Sequence, residues 1–175
     1  FNALIKESGE VFEILGVDGK ILYINEASER ITGYKPEERL GKNIFEFYGE
    51  EEVIKLKTML ASVINFPKLK VKRDIIFKSK DGQEIVLEFS MQNFLHDPAI
   101  DGIVVNFRDI TERVEAEQKI IQLSTHDQLT GLPNRIYFEQ EIARLSLSAK
   151  EGNSGFGIFM LDIDSLEHIK DTLGY

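Results

Sequence analysis

Residues 71–92 read VKRDIIFKSKDGQEIVLEFSMQ, and the fold is decided at their centre, at Asp81-Gly82. Glycine takes positive φ freely and aspartate tolerates it, so such a pair favours a tight turn when apolar strands flank it. The flanks comply. After the turn Ile85, Leu87, Phe89 and Met91 alternate with Val86, Glu88, Ser90 and Gln92, and before it Val71 to Phe77 supplies the partner strand. A period of two over this length predicts half-buried strands of an antiparallel sheet. Outward from this hairpin, Asp101-Gly102 precedes a third alternating stretch, Ile103, Val105 and Phe107 against Val104, Asn106 and Arg108. Upstream, Asp18-Gly19 separates Val11–Leu15 from Lys20–Ile24 and predicts another hairpin.

Between these strand groups the pattern is helical. Asn25 is placed to cap a short helix that Gly33 terminates, and Pro36 begins another that ends near Gly41. From Glu50 to Phe66, Val53, Leu56, Leu60, Val63 and Ile64 share one helical face, and Pro67 stops it. Glu50-Glu51-Glu52 reads as the favourable acidic first turn of that helix rather than a contact patch. Lys68 to Arg73 reads as an exposed edge strand kept from aggregating by its charge. Two strands, several helices and three strands imply an α+β class: a five-stranded antiparallel sheet with helices on one face.

At Asp109 the period changes. Asp109 with Glu112 resembles a capping box opening a helix from Ile110 to about Leu123. Its apolar stripe, Ile110, Val114 and Ile121, is too thin to stabilise it alone, so it either pairs with a second copy or packs on the sheet. Beyond comes a turn at Thr130-Gly131-Leu132-Pro133, with Pro133 suited to a helix's first turn. That helix carries Ile136, Phe138, Ile142 and Leu145; an apolar strand, Gly157 to Leu161, then ends in Asp162-Ile163-Asp164.

Composition excludes several functions. With 175 residues and 42% hydrophobic content the chain supports one packed core and a smaller second element. A formal net charge of -9 argues against nucleic-acid binding. No apolar run reaches the roughly 20 residues that span a bilayer, so no membrane segment is expected and the balance fits a cytoplasmic protein. Zero cysteines exclude disulfides and a covalent flavin adduct. His96 reads as a solvated turn residue, His126 as structural, and His168 has no partner in view. The chain opens on Phe1 and closes on Gly174-Tyr175, and reads as a piece of something longer.

Asn25 and Ala27, Gly33-Tyr34, Leu40-Gly41, the Asp81-Gly82 turn and the closing Asp109-Ile110-Thr111 resemble, in order and spacing, a PAS domain over residues 1–112. Residues 110–126 then form a connecting helix. Asp127-Gln128-Leu129-Thr130-Gly131-Leu132-Pro133-Asn134-Arg135 is similar to the entry motif of a GGDEF domain, so residues 127–175 resemble that family's truncated N-terminal part.

The family makes cyclic di-GMP from two GTP, which implies Mg2+ and GTP in the intact domain, with Asp162 and the backbone carbonyl of Ile163 as metal ligands. The bland alternative for Asp162 and Asp164 is a solvated strand end. Leu166, Glu167 and Lys170 stand where the family usually has Phe, a phosphate-binding Lys and a base-reading Asn. A carboxylate near phosphates is unfavourable, and lysine lacks asparagine's acceptor, so the departures disfavour an active cyclase.

This stretch stops before the family's signature and is expected to be non-catalytic by itself. The resemblance implies a sensory and dimerisation region in which Asp109 and Thr111 relay a small-molecule or redox cue along the connecting helix in a homodimer. An alternative is a degenerate GTP-binding domain controlling a downstream phosphodiesterase. For a haem-binding sensor the resemblance implies a histidine on the 50–66 helix, which has none, so haem is not expected, and the sensor's interior holds either a small molecule or a filled core that serves dimerisation alone.

Overall fold

The computed structural model describes residues 9–152 and 155–161. Five strands form one antiparallel sheet: β1 (Val11–Leu15), β2 (Ile21–Ile24), β3 (Lys70–Lys78), β4 (Glu84–Asn93) and β5 (Ile103–Asp109), in the order β2-β1-β5-β4-β3. The first hairpin joins the last through β1 and β5, with Val11 opposite Phe107 and Leu15 opposite Ile103. Between β2 and β3 lie α1 (Ala27–Thr32), α2 (Pro36–Arg39), a 3₁₀ turn (Ile44–Phe47) and α3 (Glu50–Asn65). These helices cover one sheet face. The core they close over is aliphatic and phenylalanine-rich, with Leu56, Met59, Leu60 and Val63 of α3 buried together with Phe77, Phe89 and Phe107 of the sheet. Val53 and Ile64, expected on that helical face, are only half-buried, and Met59 takes the deeper position.

Two of the three Asp-Gly turns form as expected: Gly19 has φ 83° and Gly82 φ 91°. The third does not. Residues 94–102 make a longer connection between β4 and β5, and the left-handed conformation falls on Asp101, with φ 44°, not on Gly102. Gly102 is required for a different reason. A Cβ there would stand 2.5 Å from Ile14 Cγ2 and 3.0 Å from the Leu15 carbonyl oxygen, so only glycine lets the chain pass this close to β1. Gly102→Ala is therefore expected to part β1 from β5 and cost about 1–3 kcal/mol. A urea midpoint equal to that of the parent chain would refute this account.

Asn25 does not cap α1. The cap position belongs to Glu26, and the Asn25 side chain turns back to β1, accepting from the Phe12 amide (3.1 Å) and donating to the Glu10 carbonyl (3.2 Å). Two strand groups beyond the reach of β2 are thereby satisfied, which is worth more than one helix-end amide that water can solvate. Gly33, with φ 75°, closes α1 as expected.

By its contacts the chain divides into Phe1–Lys119 and Ile120–Tyr175, a boundary inside α4 (Thr111–Thr125). In the second unit Asp127 organises the entry loop: one carboxylate oxygen accepts from the Thr130 amide (2.9 Å) and hydroxyl (2.7 Å), while Gly131 takes φ 70°. Pro133 does not enter the following helix, α5 (Arg135–Gly152), but bridges to His126. Asn134 displaces it, because its side chain accepts from the Ile136 and Tyr137 amides and so starts the helix two residues later. The strand expected over 157–161 is irregular. A strand needs a ladder partner, and this unit has no other strand among the described residues.

Candidate functional site

The interior of the first unit holds a charged cluster where the sheet pattern would place only hydrocarbon. Along β1 the residues facing the helices are Val11, Glu13 and Leu15, so Glu13 is wholly buried. Across from it Arg39, the last residue of α2, is also wholly buried, its Nη1 2.8 Å from Glu13 Oε1. The guanidinium carbon lies 4.8 Å from the ring centre of Phe47, 5.9 Å from Phe77 and 6.0 Å from Phe107, so aromatic faces surround the cation.

Tyr48 follows the 3₁₀ turn and brings its hydroxyl to the same charges. Its ring meets Phe77 edge-on at 5.1 Å and Phe89 at 6.4 Å, and Phe89 in turn stacks on Phe107 at 5.4 Å. Burial pushes the Tyr48 hydroxyl well above the usual phenol range, and Arg39 offsets part of that rise. Burial likewise pushes the Glu13 carboxyl up while Arg39 pulls it back. Glu52, in the first turn of α3, accepts from Lys55 Nζ at 2.7 Å through one oxygen and buries the other.

Among the described residues, Glu13 Oε1 and Arg39 Nη1 meet only as an ion pair, and the other buried side-chain polar atoms without a hydrogen-bond partner are Glu13 Oε2, Arg39 Nε and Nη2, the Tyr48 hydroxyl and Glu52 Oε2. Every one belongs to this cluster. Each such group ordinarily costs about 1–3 kcal/mol, and native proteins hold few of them. Their concentration at one point sets this buried cluster apart from the hydrocarbon core around it.

The second feature joins this unit's sheet to α4. The Ile110 amide donates to the Val86 carbonyl (2.9 Å), and the Val86 amide donates to Thr111 Oγ1 (2.9 Å). Thr111 in turn gives both its amide (2.8 Å) and its hydroxyl (2.6 Å) to Asp109 Oδ1. The expected partnership of Asp109 with Glu112 is replaced by this local one, since Thr111 offers two donors only two residues away. Glu88 stands close by on β4 and gathers Lys72 (2.8 Å), Arg108 (2.8 Å) and, at 3.7 Å, Arg113 of α4. The hydrogen bond from Lys72 leads the effects that hold the Glu88 carboxyl below its usual range. Stability from this cluster is thus present above the ordinary glutamate value and is lost as pH falls through the lowered one.

Of the residues singled out in the sequence, Asp109 and Thr111 are brought together. Asp162, Ile163, Asp164, Leu166, Glu167, His168 and Lys170 lie outside the described residues. His96 is exposed in the β4–β5 connection, and His126 approaches Thr125 Oγ1 at 3.0 Å and the Tyr137 ring at 5.5 Å. No group of three metal-ligating side chains forms among the described residues. Glu13, Arg39, Tyr48 and Glu52 were not anticipated. The available signal was Glu13 itself, a charge inside an otherwise apolar five-residue strand.

A meander closed by β1, helices over one face and a polar point in an aromatic interior define a small sensor-type domain that runs into a helix. The comparisons agree. Residues 10–112 match the model of the PAS domain, and the chain belongs to that family; residues 124–175 match the model of the diguanylate cyclase GGDEF domain and form the beginning of one. The chain is similar to the "Probable diguanylate cyclase DgcE" of Escherichia coli, 21% identical over 95% of this chain and 15% of that protein. It is 24% identical to the cyclic di-GMP phosphodiesterase PdeR of the same organism, over 98% of this chain and 26% of that one. It spans only 12–26% of the length of the first such relatives. Among solved structures it resembles the PAS domain of the Cronobacter turicensis RpfR quorum-sensing receptor in complex with C12:0. That likeness has a TM-score of 0.51 and 25% identity, and covers 60% of this chain and 97% of that domain.

Proposed function

We propose that this chain is the sensory and dimerising region of a bacterial cyclic di-GMP signalling protein. In this reading a small molecule in the PAS interior alters the sheet, and Asp109 and Thr111 carry the change into α4 and on to a GGDEF output domain. The observation that carries the reading is the latch at Val86. The backbone of a central sheet strand is bonded on both its N–H and C=O sides to the first residues of the connecting helix. A shift in β4 cannot leave that helix unmoved, which is the physical requirement for coupling between two sites.

Exposed apolar residues of α4 support dimerisation. Ile120 and Ile121 are 66% and 60% exposed, and a second copy of the helix would cover them. Two-GTP chemistry needs two output domains face to face, so the geometry of paired helices can set its rate. In the intact output domain Asp162 and the Ile163 carbonyl would hold Mg2+, and GTP through it. GTP is a cytoplasmic substrate, which supports a cytoplasmic location for the region. Among the described residues no helix is long and apolar enough to cross a membrane.

The second reading, a degenerate output domain that binds GTP and governs a phosphodiesterase, draws on Glu167 and Lys170, where the usual lysine and asparagine are absent. The similarity to PdeR supports it. The two separate on one assay: the full-length protein with GTP and Mg2+, scored for cyclic di-GMP. Product supports the cyclase reading; bound GTP without product supports the relay.

The latch makes its own prediction. Thr111→Val leaves the Val86 amide without its acceptor and should cost about 1–3 kcal/mol. Hydrogen exchange at the Val86 amide should quicken, and in the full-length protein Asp109→Ala should uncouple output from input. Unaltered regulation in the Asp109 variant would sink the relay.

A further inference from the structure

The two edges of the sheet are finished differently. β2 is four residues long, and at Ile21 its outward amide and carbonyl are taken by the Lys42 carbonyl (2.9 Å) and the Gly41 amide (2.8 Å). β3 runs nine residues without proline, glycine or a register shift, and among the described residues its backbone bonds only to β4 and to its own Arg73 side chain. Sheet edges are ordinarily kept short, bulged or blocked. We propose that this open edge docks an extended acidic segment of a partner protein, which joins the sheet as a sixth strand with carboxylates alternating with apolar side chains.

The pairing identifies which groups are free. In β4 the Val86 amide and carbonyl bond on the β5 side, to Thr111 and Ile110, and the Phe94 amide bonds there to Gly102. Successive residues of a strand bond to opposite sides, so Ile85, Leu87, Phe89 and Met91 bond to β3, where they face Phe77, Ile75, Arg73 and Val71. The outward amides and carbonyls of β3 therefore belong to Lys70, Lys72, Asp74, Ile76 and Lys78, all exposed. The Arg73 guanidinium marks the same side, since it reaches the Lys72 carbonyl at 2.9 Å.

Charge selects the partner. Residues 68–78 carry the cations Lys68, Lys70, Lys72, Arg73 and Lys78 against the single acid Asp74, in a chain whose net charge is -9. Among the described residues, Lys72 alone of these cations meets a carboxylate, Glu88 at 2.8 Å. Two copies of so basic a strip would set like charges opposite one another, which disfavours a β3–β3 pair, whereas a strand of carboxylates is attracted along it. At the strand's start Phe66 and Leu69, 65% and 42% exposed, form with Phe94 and Pro98 an open groove of about 1020 Å3 that can seat an apolar residue of the incoming segment. Main-chain bonds supply the affinity of such an added strand, and the cations and the groove supply its selectivity.

An acetylated, amidated heptapeptide alternating glutamate with valine tests this against its lysine counterpart, on the isotope-labelled 175-residue chain. At about 50 mM salt, where screening is weak, the glutamate peptide should bind at least tenfold more tightly. Hydrogen exchange at the Lys72, Asp74 and Ile76 amides, fast in the free chain, should slow at least tenfold on binding. N-methylating one alternate set of peptide amides should abolish binding and the other set should be tolerated, because only one set faces β3. Lys70→Glu combined with Lys78→Glu should weaken the glutamate peptide at least tenfold. If that variant does not fold, the methylated pair on the parent chain still decides. Equal binding of the two unmodified peptides, or binding of neither, overturns the proposal. So does equal loss from both methylated sets, which would mean that charge alone holds the peptide. Slow exchange at these amides in the free chain that quickens on dilution would put a second copy on the edge, and overturns it too.

Discussion

Replacing Glu13 by leucine should destabilise the PAS unit by about 3–5 kcal/mol, although it swaps a charge for hydrocarbon in a hydrocarbon interior. The cause is the residue left behind. Arg39 is wholly buried and touches no water. Without Glu13 its charge is compensated only by aromatic faces, which recover a kilocalorie or two per mole at most. Arg39→Met should cost less, because Glu13 can take up a proton and become neutral. In that variant the Glu13 carboxyl lies above its unfolded value, so stability is greatest at low pH and falls as pH rises through the folded value. The double replacement Glu13→Leu with Arg39→Met should recover most of the loss, since two apolar side chains leave nothing to compensate. Urea unfolding of the four chains at pH 5 and pH 8 checks the series. Equal cost for the two single variants, independent of pH, would show that the pair contributes packing and no electrostatics.

Phe89→Ala should be about as damaging, at about 3–5 kcal/mol. The ring has no solvent contact, lies parallel to Phe107 within 5° at 5.4 Å, and takes the edge of Tyr48. Its removal deletes one wall of the interior where β4 and β5 pair. Phe89→Leu keeps most of the volume and should cost less than about 2 kcal/mol. A midpoint for Phe89→Ala within error of the Phe89→Leu value would mean that the site collapses around the loss.

Strand periodicity was legible because it is local. The alternation at 85–92 and 103–108 and the turns at Gly19 and Gly82 need no knowledge of distant residues, and they yield the sheet. The polar cluster was not, for a reason visible in β1. In Val11-Phe12-Glu13-Ile14-Leu15 either face could be the buried one, and Phe12 with Ile14 is the more apolar choice. The fold takes the other, because Arg39 arrives from α2, a four-residue helix too short to show any period. Asp109 and Thr111 were legible as a helix start, but their partner Val86 lies 25 positions from Thr111 in sequence and is set only by pairing. Asn25 was misread because its side chain serves β1, and no local pattern reveals a bond across 13 residues.

The latch at Val86 also has a mechanical meaning. α4 runs 15 residues, about 22 Å at the usual rise, and it is gripped at one end by bonds of 2.9 Å. A helix held this way would magnify displacement: a tilt of about 5° at the grip would swing a point 22 Å along its axis by about 2 Å. The sheet therefore has no need to rearrange visibly. A change in hydrogen-bond length of a few tenths of an ångström at Val86 suffices, because the leverage is supplied by the length of the helix.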